Sequence, residues 1–300
     1  MFLDASSQGL FSYQPNPENR LKLTITPTSF AYISENSDST MYRCILDTKE
    51  SGGLKDCQPL SGIDLNHPMG LMIQNANIYI TNQSGGTGGL GYILSCDINT
   101  NNGQLNNCQT HSSSINIPIG IASYQGYAYV INQGDSTVSL CDIGYGPIKN
   151  CKTLYTLSST PMSIGINDSY AYIAFQDGSI QYCEIEKNTG QFSNGCTDAS
   201  QQTFASPFGI AAYSSYVYIT NNVSPIPSYC ALNADGTFAS CNPLDFNDDS
   251  YAIEILPTGY AYIGNGASIY QCTIQSSNGN WTSCTQTSNL FSETSGIAFY

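Results

Sequence analysis

Histidine and arginine, two residue types common in catalytic sites, are scarce in this 300-residue sequence. It contains two histidines, and one of them, His67, stands before a segment that resembles those following Asp249 and Glu293. Two carboxylates and a histidine could ligate a divalent cation such as calcium, or could act as a general acid and base. The alternative is that they are ordinary turn residues, because polar side chains are common just before strands.

Other polar residues occupy the same or neighbouring positions. The full candidate set for binding is Asn19, Arg20, His67, Asp245, Asp248, Asp249 and Glu293. Within it, we expect His67, Asp249 and Glu293 to be the metal ligands if a metal is bound. The sequence has neither an EF-hand loop nor a Gly-x-Ser-x-Gly motif, so no catalytic residue is assigned.

A repeat of about 46 residues determines where these candidates lie. In most copies an aromatic residue is followed by a small or aliphatic residue, a tyrosine and an aliphatic residue. The six copies are residues 30–33, 77–80, 127–130, 170–173, 216–219 and 260–263. A Pro-x-Gly-Ile-like segment precedes most copies, and two cysteines separated by a polar turn follow. Each repeat thus offers four short strands, A to D, which is typical of a β-propeller blade.

The twelve cysteines fall into six pairs, one in each repeat. The pairs are Cys44/Cys57, Cys96/Cys108, Cys141/Cys151, Cys183/Cys196, Cys230/Cys241 and Cys272/Cys284. Each pair flanks one turn, so we expect its sulfurs to meet across the hairpin of strands C and D at directly opposed positions. Six zinc sites would need more histidines than the chain has. We therefore predict six disulfides, and with them a secreted, periplasmic or cell-surface protein.

The number of blades depends on the chain ends. Residues 295–300 resemble an A strand, and residues 1–15 can supply two more strands. The 70 residues that join the last tyrosine copy to the first across the termini are too many for one repeat and too few for two. We expect one domain over residues 1–300 with seven blades, the seventh formed by about 1–15 together with 295–300. Six blades is the alternative.

Charge and hydropathy exclude several classes of partner. The net charge of −14, with only eight Lys and Arg residues, argues against nucleic acid and anionic membranes. No apolar stretch is long enough to span a bilayer, and the first twenty residues lack a signal peptide. We expect a monomer whose partner is a protein or a glycan.

The repeat resembles a known family. Residues 216–221 read Tyr-Val-Tyr-Ile-Thr-Asn, and residues 78–82 read Ile-Tyr-Ile-Thr-Asn. These runs are similar to the repeats of the YVTN β-propellers, which are related to NHL and lactonase-type propellers. The resemblance covers nearly the whole chain and implies a secreted or surface protein. It carries over no catalytic residue, and the cysteine pair in each repeat is an addition to the family pattern.

Three functions are compatible with these observations. The first is a secreted, non-catalytic propeller that binds a protein or glycan through its rim and loops. The second is a cation-dependent, lactonase-like hydrolase or lyase with its site at the channel mouth. The third is a purely structural surface-layer or adhesin repeat. A cation in the mouth would favour the enzyme, whereas a dry, apolar mouth would favour the binder.

Overall fold

The computed structural model describes residues 29–47, 52–222, 226–246 and 248–300. These residues form 24 strands and one short 3₁₀ turn at Thr87–Gly89. The strands are β1 (Ser29–Glu35), β2 (Thr40–Leu46), β3 (Leu54–Pro59), β4 (Pro68–Gln74), β5 (Asn77–Asn82), β6 (Tyr92–Ile98), β7 (Leu105–His111), β8 (Pro118–Tyr124), β9 (Tyr127–Asn132), β10 (Thr137–Asp142), β11 (Lys149–Thr156), β12 (Pro161–Ile166), β13 (Tyr170–Phe175), β14 (Ile180–Ile185), β15 (Phe192–Asp198), β16 (Pro207–Tyr213), β17 (Tyr216–Asn221), β18 (Ser228–Leu232), β19 (Phe238–Pro243), β20 (Ile253–Ile255), β21 (Tyr260–Asn265), β22 (Ser268–Ile274), β23 (Trp281–Ser288) and β24 (Thr294–Phe299).

The strands form six antiparallel four-stranded sheets, which are the blades of a propeller. Blades 2 to 6 are β4–β7, β8–β11, β12–β15, β16–β19 and β20–β23, each with its A strand innermost. Blade 1 is ordered β24-β1-β2-β3, so the last described strand in sequence is the inner strand of the first blade. In the described part of the chain, no helix is long and apolar enough to cross a membrane.

The prediction of seven blades was wrong. Residues 295–300 do form an A strand, but it pairs with β1, in the register Ile33 to Ile297 and Ala31 to Phe299. Backbone hydrogen bonds between Phe30 and Tyr300 extend the same pairing. Because β1 accepts this strand, the terminal segment completes blade 1 and begins no new blade. The strands predicted within residues 1–15 lie outside the described residues.

The six predicted disulfides are confirmed, and no cysteine of the chain is free. Each bridge joins strands C and D, so it fastens the outermost strand of its own blade, and none links two blades. The bonded pairs are Cys44–Cys57, Cys96–Cys108, Cys141–Cys151, Cys183–Cys196, Cys230–Cys241 and Cys272–Cys284.

The expectation that every cysteine pair lies at directly opposed strand positions was wrong for four of the six blades. Direct partners are found only in blade 4, where Cys183 faces Cys196, and in blade 5, where Cys230 faces Cys241. In the other four blades the strand register shifts at the first cysteine. The bridges at these register shifts are Cys44–Cys57, Cys96–Cys108, Cys141–Cys151 and Cys272–Cys284, with Cα atoms 3.9–4.1 Å apart.

The cause of the shift is a β-bulge on strand D. Two of its residues, the second cysteine and the residue before it, oppose the single cysteine of strand C. The preceding residues, Asp56, Asn107, Asn150 and Ser283, all have a positive φ of 50–54°. The extra residue therefore displaces Cys57, Cys108, Cys151 and Cys284 from regular pairing without breaking their disulfides.

The tyrosine of each repeat joins its blade to the next one. All six of these side chains are fully buried, and each hydroxyl donates a hydrogen bond to the carbonyl of a glycine in the C–D turn of the following blade. The bonds are Tyr32 to Gly103, Tyr79 to Gly146, Tyr129 to Gly190, Tyr172 to Gly236, Tyr218 to Gly279 and Tyr262 to Gly52. Burial raises the pKa of Tyr79 to about 12, so its hydroxyl remains a donor at physiological pH. The last bond closes the ring from blade 6 to blade 1.

The glycine of the Pro-x-Gly-Ile segment is required where the inner strands crowd around the axis. A Cβ placed on Gly70 would lie 2.7 Å from the carbonyl oxygen of Ile119 in the next blade. On Gly209 it would lie 2.4 Å from the carbonyl oxygen of Tyr251. Real side chains do not approach backbone this closely, so glycine allows neighbouring blades to meet.

Candidate functional site

The central channel opens at the end of the ring where every A strand begins, and we call this opening the mouth. The second residue of each A segment lines it, and together these six side chains form a collar. The collar consists of Met69, Ile119, Met162, Phe208, Tyr251 and Ser295. They surround a cavity of about 220 Å³. All six face the channel axis because they occupy the same repeat position. Five of them are large and mainly apolar.

Aromatic side chains form one side of the collar. The rings of Phe208 and Tyr251 pack edge to face, with their centroids 5.6 Å apart. Both remain partly exposed to the cavity, whereas Met69 and Ile119 on the other side are buried. Partly exposed aromatic rings in a concave site are typical contacts for a ligand.

A series of carboxamides lies above the collar. The residue that follows strand B is Asn36, Gln83, Gln133, Gln176 and Asn222 in blades 1 to 5, and Gly266 in blade 6. Their backbone N–H groups donate to the carbonyls of Glu293, His67, Ile117, Thr160 and Ser206, respectively, at 3.0–3.3 Å. Four of the five carboxamide residues line the cavity. The buried Oδ1 atom of Asn36 has no hydrogen-bond partner within the described structure.

Of the predicted site residues, Asp249 and Glu293 lie at the mouth. Both are exposed, and each directly precedes an A segment as predicted. Burial, followed by the negative charges of these two carboxylates, raises the pKa of Tyr251 in the collar. The two residues stand before the A segments of blades 6 and 1, which are neighbours in the ring.

His67 holds the equivalent position before the A strand of blade 2, so it also lies at the mouth. His67 is exposed, its Nδ1 lies 2.9 Å from Oδ1 of Asn66, and its backbone N–H donates to Oγ of Ser39. Asp248 accepts a hydrogen bond from the Tyr270 hydroxyl at 3.1 Å.

Asp245 is exposed in the loop after β19, and Asn19 and Arg20 lie outside the described residues. In blade 1, the residue before the inner strand is Glu293, not Asn19 as predicted. Across the described ranges, no three His, Cys, Asp or Glu side chains cluster closely enough to hold a metal ion. A cation bound by His67, Asp249 and Glu293 thus stays a prediction.

Sequence reasoning missed a carboxyl group inside the channel. Glu254 in β20 lines a channel cavity of about 270 Å³, and it is the only Asp, Glu, Lys, Arg or His among the described residues that do so. Burial raises its pKa to about 8, so it is largely protonated at neutral pH. Its equivalents in the other inner strands are Met72, Ala122, Gly165, Ala211 and Ala298. Aligning the six repeats in this register would have found the exception.

Comparison with known proteins supports the fold. No family model matches the chain, and no curated protein matches it. The propeller of a nidogen/laminin complex has a TM-score of 0.68 at 12% identity, covering 90% of this chain and 98% of that one. The Pseudomonas aeruginosa periplasmic gluconolactonase PpgL has a TM-score of 0.63 at 12% identity, covering 91% and 99%.

A Bacteroides fragilis protein described as a candidate 6-phosphogluconolactonase is also similar, with a TM-score of 0.65 at 13% identity and coverage of 92% and 99%. At these identities the similarity is one of architecture. The chain is a six-bladed β-propeller, a class that includes both binding modules and enzymes.

Proposed function

We propose that this protein is a secreted, non-catalytic interaction propeller of the YVTN type that binds a protein or glycan through its mouth. The observation that carries the proposal is the construction of the mouth itself. An apolar collar with a partly exposed aromatic pair lies beneath carboxamides that can both donate and accept hydrogen bonds. Such a surface fits an uncharged, hydrogen-bonding partner.

The distribution of basic and exposed apolar side chains favours a binding function over chemistry on a phosphorylated substrate. The five described basic residues are Arg43, Lys55, Lys149, Lys152 and Lys187, all on C or D strands or a C–D turn. None of these cations lies at the mouth, so the described residues offer no lysine or arginine there to bind a phosphate group. In contrast, three of the four exposed large apolar side chains, Leu90, Ile226 and Leu290, lie on loops at the mouth end.

Secretion is part of the proposal. Six disulfides and the absence of free cysteines are typical of an oxidising compartment. The collar itself carries no charge, and the exposed carboxylates of Asp249 and Glu293 at the mouth repel phosphates, so an uncharged partner is favoured over nucleic acid. We expect the protein to act as a monomer.

The test is to screen the protein against an oligosaccharide array and a panel of purified extracellular proteins. Phe208→Ala removes half of the aromatic pair and Gln133→Ala removes one carboxamide, so each should weaken binding of the captured partner by about tenfold. Thr189→Asn, in the blade 4 turn at the other end of the ring, is the matched control. Binding that is indifferent to both mouth variants would contradict the proposal.

A second function, cation-dependent hydrolysis of the lactonase type, is favoured by one observation. Asp249 and Glu293 are exposed carboxylates that stand before the A segments of two neighbouring blades, at the mouth. Calorimetric titration of the chelated protein with calcium, magnesium, manganese and zinc should show tight binding of one ion if this function is correct. Asp249→Ala and Glu293→Ala should each abolish that binding. Lactones and esters would then be the substrates to screen, whereas absence of ion binding leaves the interaction module.

A further inference from the structure

At the end of the ring with the C–D turns, the repeat is broken on the outer surface between blades 2 and 3. Five of the six repeats begin strand B with an aromatic residue, but blade 2 has Asn77 there. The turn glycine of the next blade is preceded by Asn102, Thr189, Asp235 and Asn278 in blades 2, 4, 5 and 6. In blade 3 the same position is Tyr145. An aromatic residue is thus absent from the strand and present in the facing turn.

The exchange of residues opens a groove. A Cβ on the turn glycine would lie 2.8 Å from the ring of Tyr127 at Gly190, and 2.7 Å from the ring of Tyr216 at Gly279. In these regular interfaces the aromatic side chain covers the turn. At Gly146, facing Asn77, nothing described lies within 4 Å of such a Cβ. The resulting groove has a volume of about 670 Å³ and is lined by both blades.

Tyr145 stands at the edge of this groove on a well-anchored loop. Its side chain is 92% exposed, the most exposed large hydrophobic residue in the described structure. The loop backbone is held before Tyr145, where the Ile143 N–H donates to the Gly126 carbonyl at 2.9 Å, and after it, where the Gly146 carbonyl accepts from the Tyr79 hydroxyl at 2.8 Å and the Ile148 N–H donates to Oγ of Ser95 at 3.1 Å. Because the backbone is fixed and a tyrosine side chain has only two torsions, little conformational freedom is lost on binding.

Polar groups line the rest of the groove. Nδ2 of Asn107 donates to Oδ2 of Asp97 at 2.8 Å, and Gln109 lies beside them on β7. Apart from Tyr145, Asp97 is the only ionisable side chain among the described residues that line the groove. One carboxylate with neighbouring amides suits hydroxyl groups and repels anions. An aromatic face beside them suits the apolar C–H face of a sugar ring.

We infer that this groove is a second binding site, separate from the mouth, and that it takes an uncharged saccharide. One sugar ring stacks on Tyr145, and its hydroxyls bond to Asp97, Asn107 and Gln109. Phosphorylated and acidic sugars are disfavoured by Asp97. The inference rests on the break in the repeat and is independent of what the mouth binds.

The repeat itself supplies the test variants. Tyr145→Asn installs the residue that blades 2 and 6 carry in this turn, and removes the stacking face. Asn77→Tyr restores the tyrosine found at this position in blades 3 to 6, and fills the groove while keeping Tyr145. The matched control is Thr189→Asn, the same turn position in the regular interface between blades 3 and 4. Melting temperatures establish that all three variants fold.

Saturation-transfer NMR with uncharged tetrasaccharides of glucose, mannose, galactose and N-acetylglucosamine, followed by titration, measures binding. At least one should bind, and both groove variants should raise its Kd by at least about tenfold while the control stays within about twofold. Failure of all four sugars to bind the wild-type protein at about 10 mM would overturn the inference. So would binding that survives in both groove variants, or a groove that proves to bind a protein and no sugar. Phe208→Ala at the mouth should leave this binding intact, which distinguishes the two sites.

Discussion

The two ends of the propeller differ in how uniform the equivalent positions of the six blades are. At the end with the C–D turns, the same tyrosine-to-glycine hydrogen bond occurs at all six interfaces and each blade carries the same disulfide. At the mouth, equivalent positions hold methionine, isoleucine, phenylalanine, tyrosine and serine. Uniformity at one end indicates a requirement of the fold, and variety at the other is what a surface adapted to a ligand would show. Where the uniform end departs from its pattern, at Asn77 and Tyr145, we infer a further site.

Reducing the disulfides, which every blade carries, should have the largest effect on stability. Each bridge closes a loop of about ten residues and contributes roughly 2–3 kcal/mol, so six together rival the entire stability of an average protein. Full reduction should lower the melting temperature by more than about 20 °C, measured by circular dichroism with and without reductant. Under mild conditions the strand content should change little.

The presence of all six disulfides in solution can be checked separately. Thiol titration of the denatured, unreduced protein should detect no free thiol beyond a trace. Appreciable free thiol would mean that one or more of the six bridges is not formed in solution.

The channel between the two ends allows a test through pH. Glu254 has a folded-state pKa of about 8, above its ordinary value of 4.5, so the folded state keeps a proton that the unfolded chain releases. Its contribution to stability is therefore fully present below about pH 4.5 and is lost as the pH rises through 8. Glu254→Gln should stabilise the protein by about 1–3 kcal/mol at pH 9.

Denaturant unfolding at pH 4 and pH 9 measures this effect. The variant and the wild type should differ little at pH 4, where both side chains are uncharged. If the difference in unfolding free energy between variant and wild type were the same at pH 4 and pH 9, the pKa of Glu254 would not be raised in the folded channel.

Replacing one tyrosine at each end of the propeller with phenylalanine compares the two ends directly. These replacements should give the smallest changes in stability. Tyr172→Phe removes the hydroxyl that bonds to the Gly236 carbonyl and leaves that buried group unpaired, which should cost about 1–2 kcal/mol. Tyr251→Phe at the mouth removes a hydroxyl with no hydrogen bond in the described structure. It should change stability by less than about 0.5 kcal/mol.

Urea unfolding of both variants gives the comparison. Equal costs at the two positions would show that the uniform end is no more important for stability than the mouth. A partner that binds the wild type and not Tyr251→Phe would show that the mouth hydroxyl serves recognition.

The sequence was sufficient to predict the blades, their four strands and all six disulfides, because these depend on contacts within one repeat. The blade number was not predictable in the same way, because it depends on whether residues 295–300 pair with β1, more than 250 residues away. Such a pairing leaves no local pattern in the chain. Asp249 and Glu293 were placed correctly before their A segments by the repeat alone.

The bulges beside the cysteines were missed, although a local signal for them exists. Asp and Asn tolerate a positive φ better than most residues, and one of them stands immediately before Cys57, Cys108 and Cys151. Ser283, before Cys284, carries a weaker form of that signal. Spacing alone predicted which cysteines bond, but it could not predict the register in which they meet.

The remaining features depend on contacts between blades. The collar could be defined only once the inner strands were seen to converge, although every collar residue stands at one repeat position. The groove at Tyr145 required the knowledge that Asn77 faces the turn of the following blade. Glu254 was detectable in principle, since its equivalents are apolar or small.

The pairing of β24 with β1 has a consequence for the order of folding. Each disulfide joins cysteines 10 to 13 residues apart, so each hairpin can be oxidised as soon as its own two strands have paired. The inner edge of β1, in contrast, has no partner until β24 arrives after every other described strand. Until then the chain is an incomplete ring of disulfide-bonded blades, and the inner edge of β1 has no strand paired with it. Unpaired strand edges of this kind are where incompletely folded chains associate.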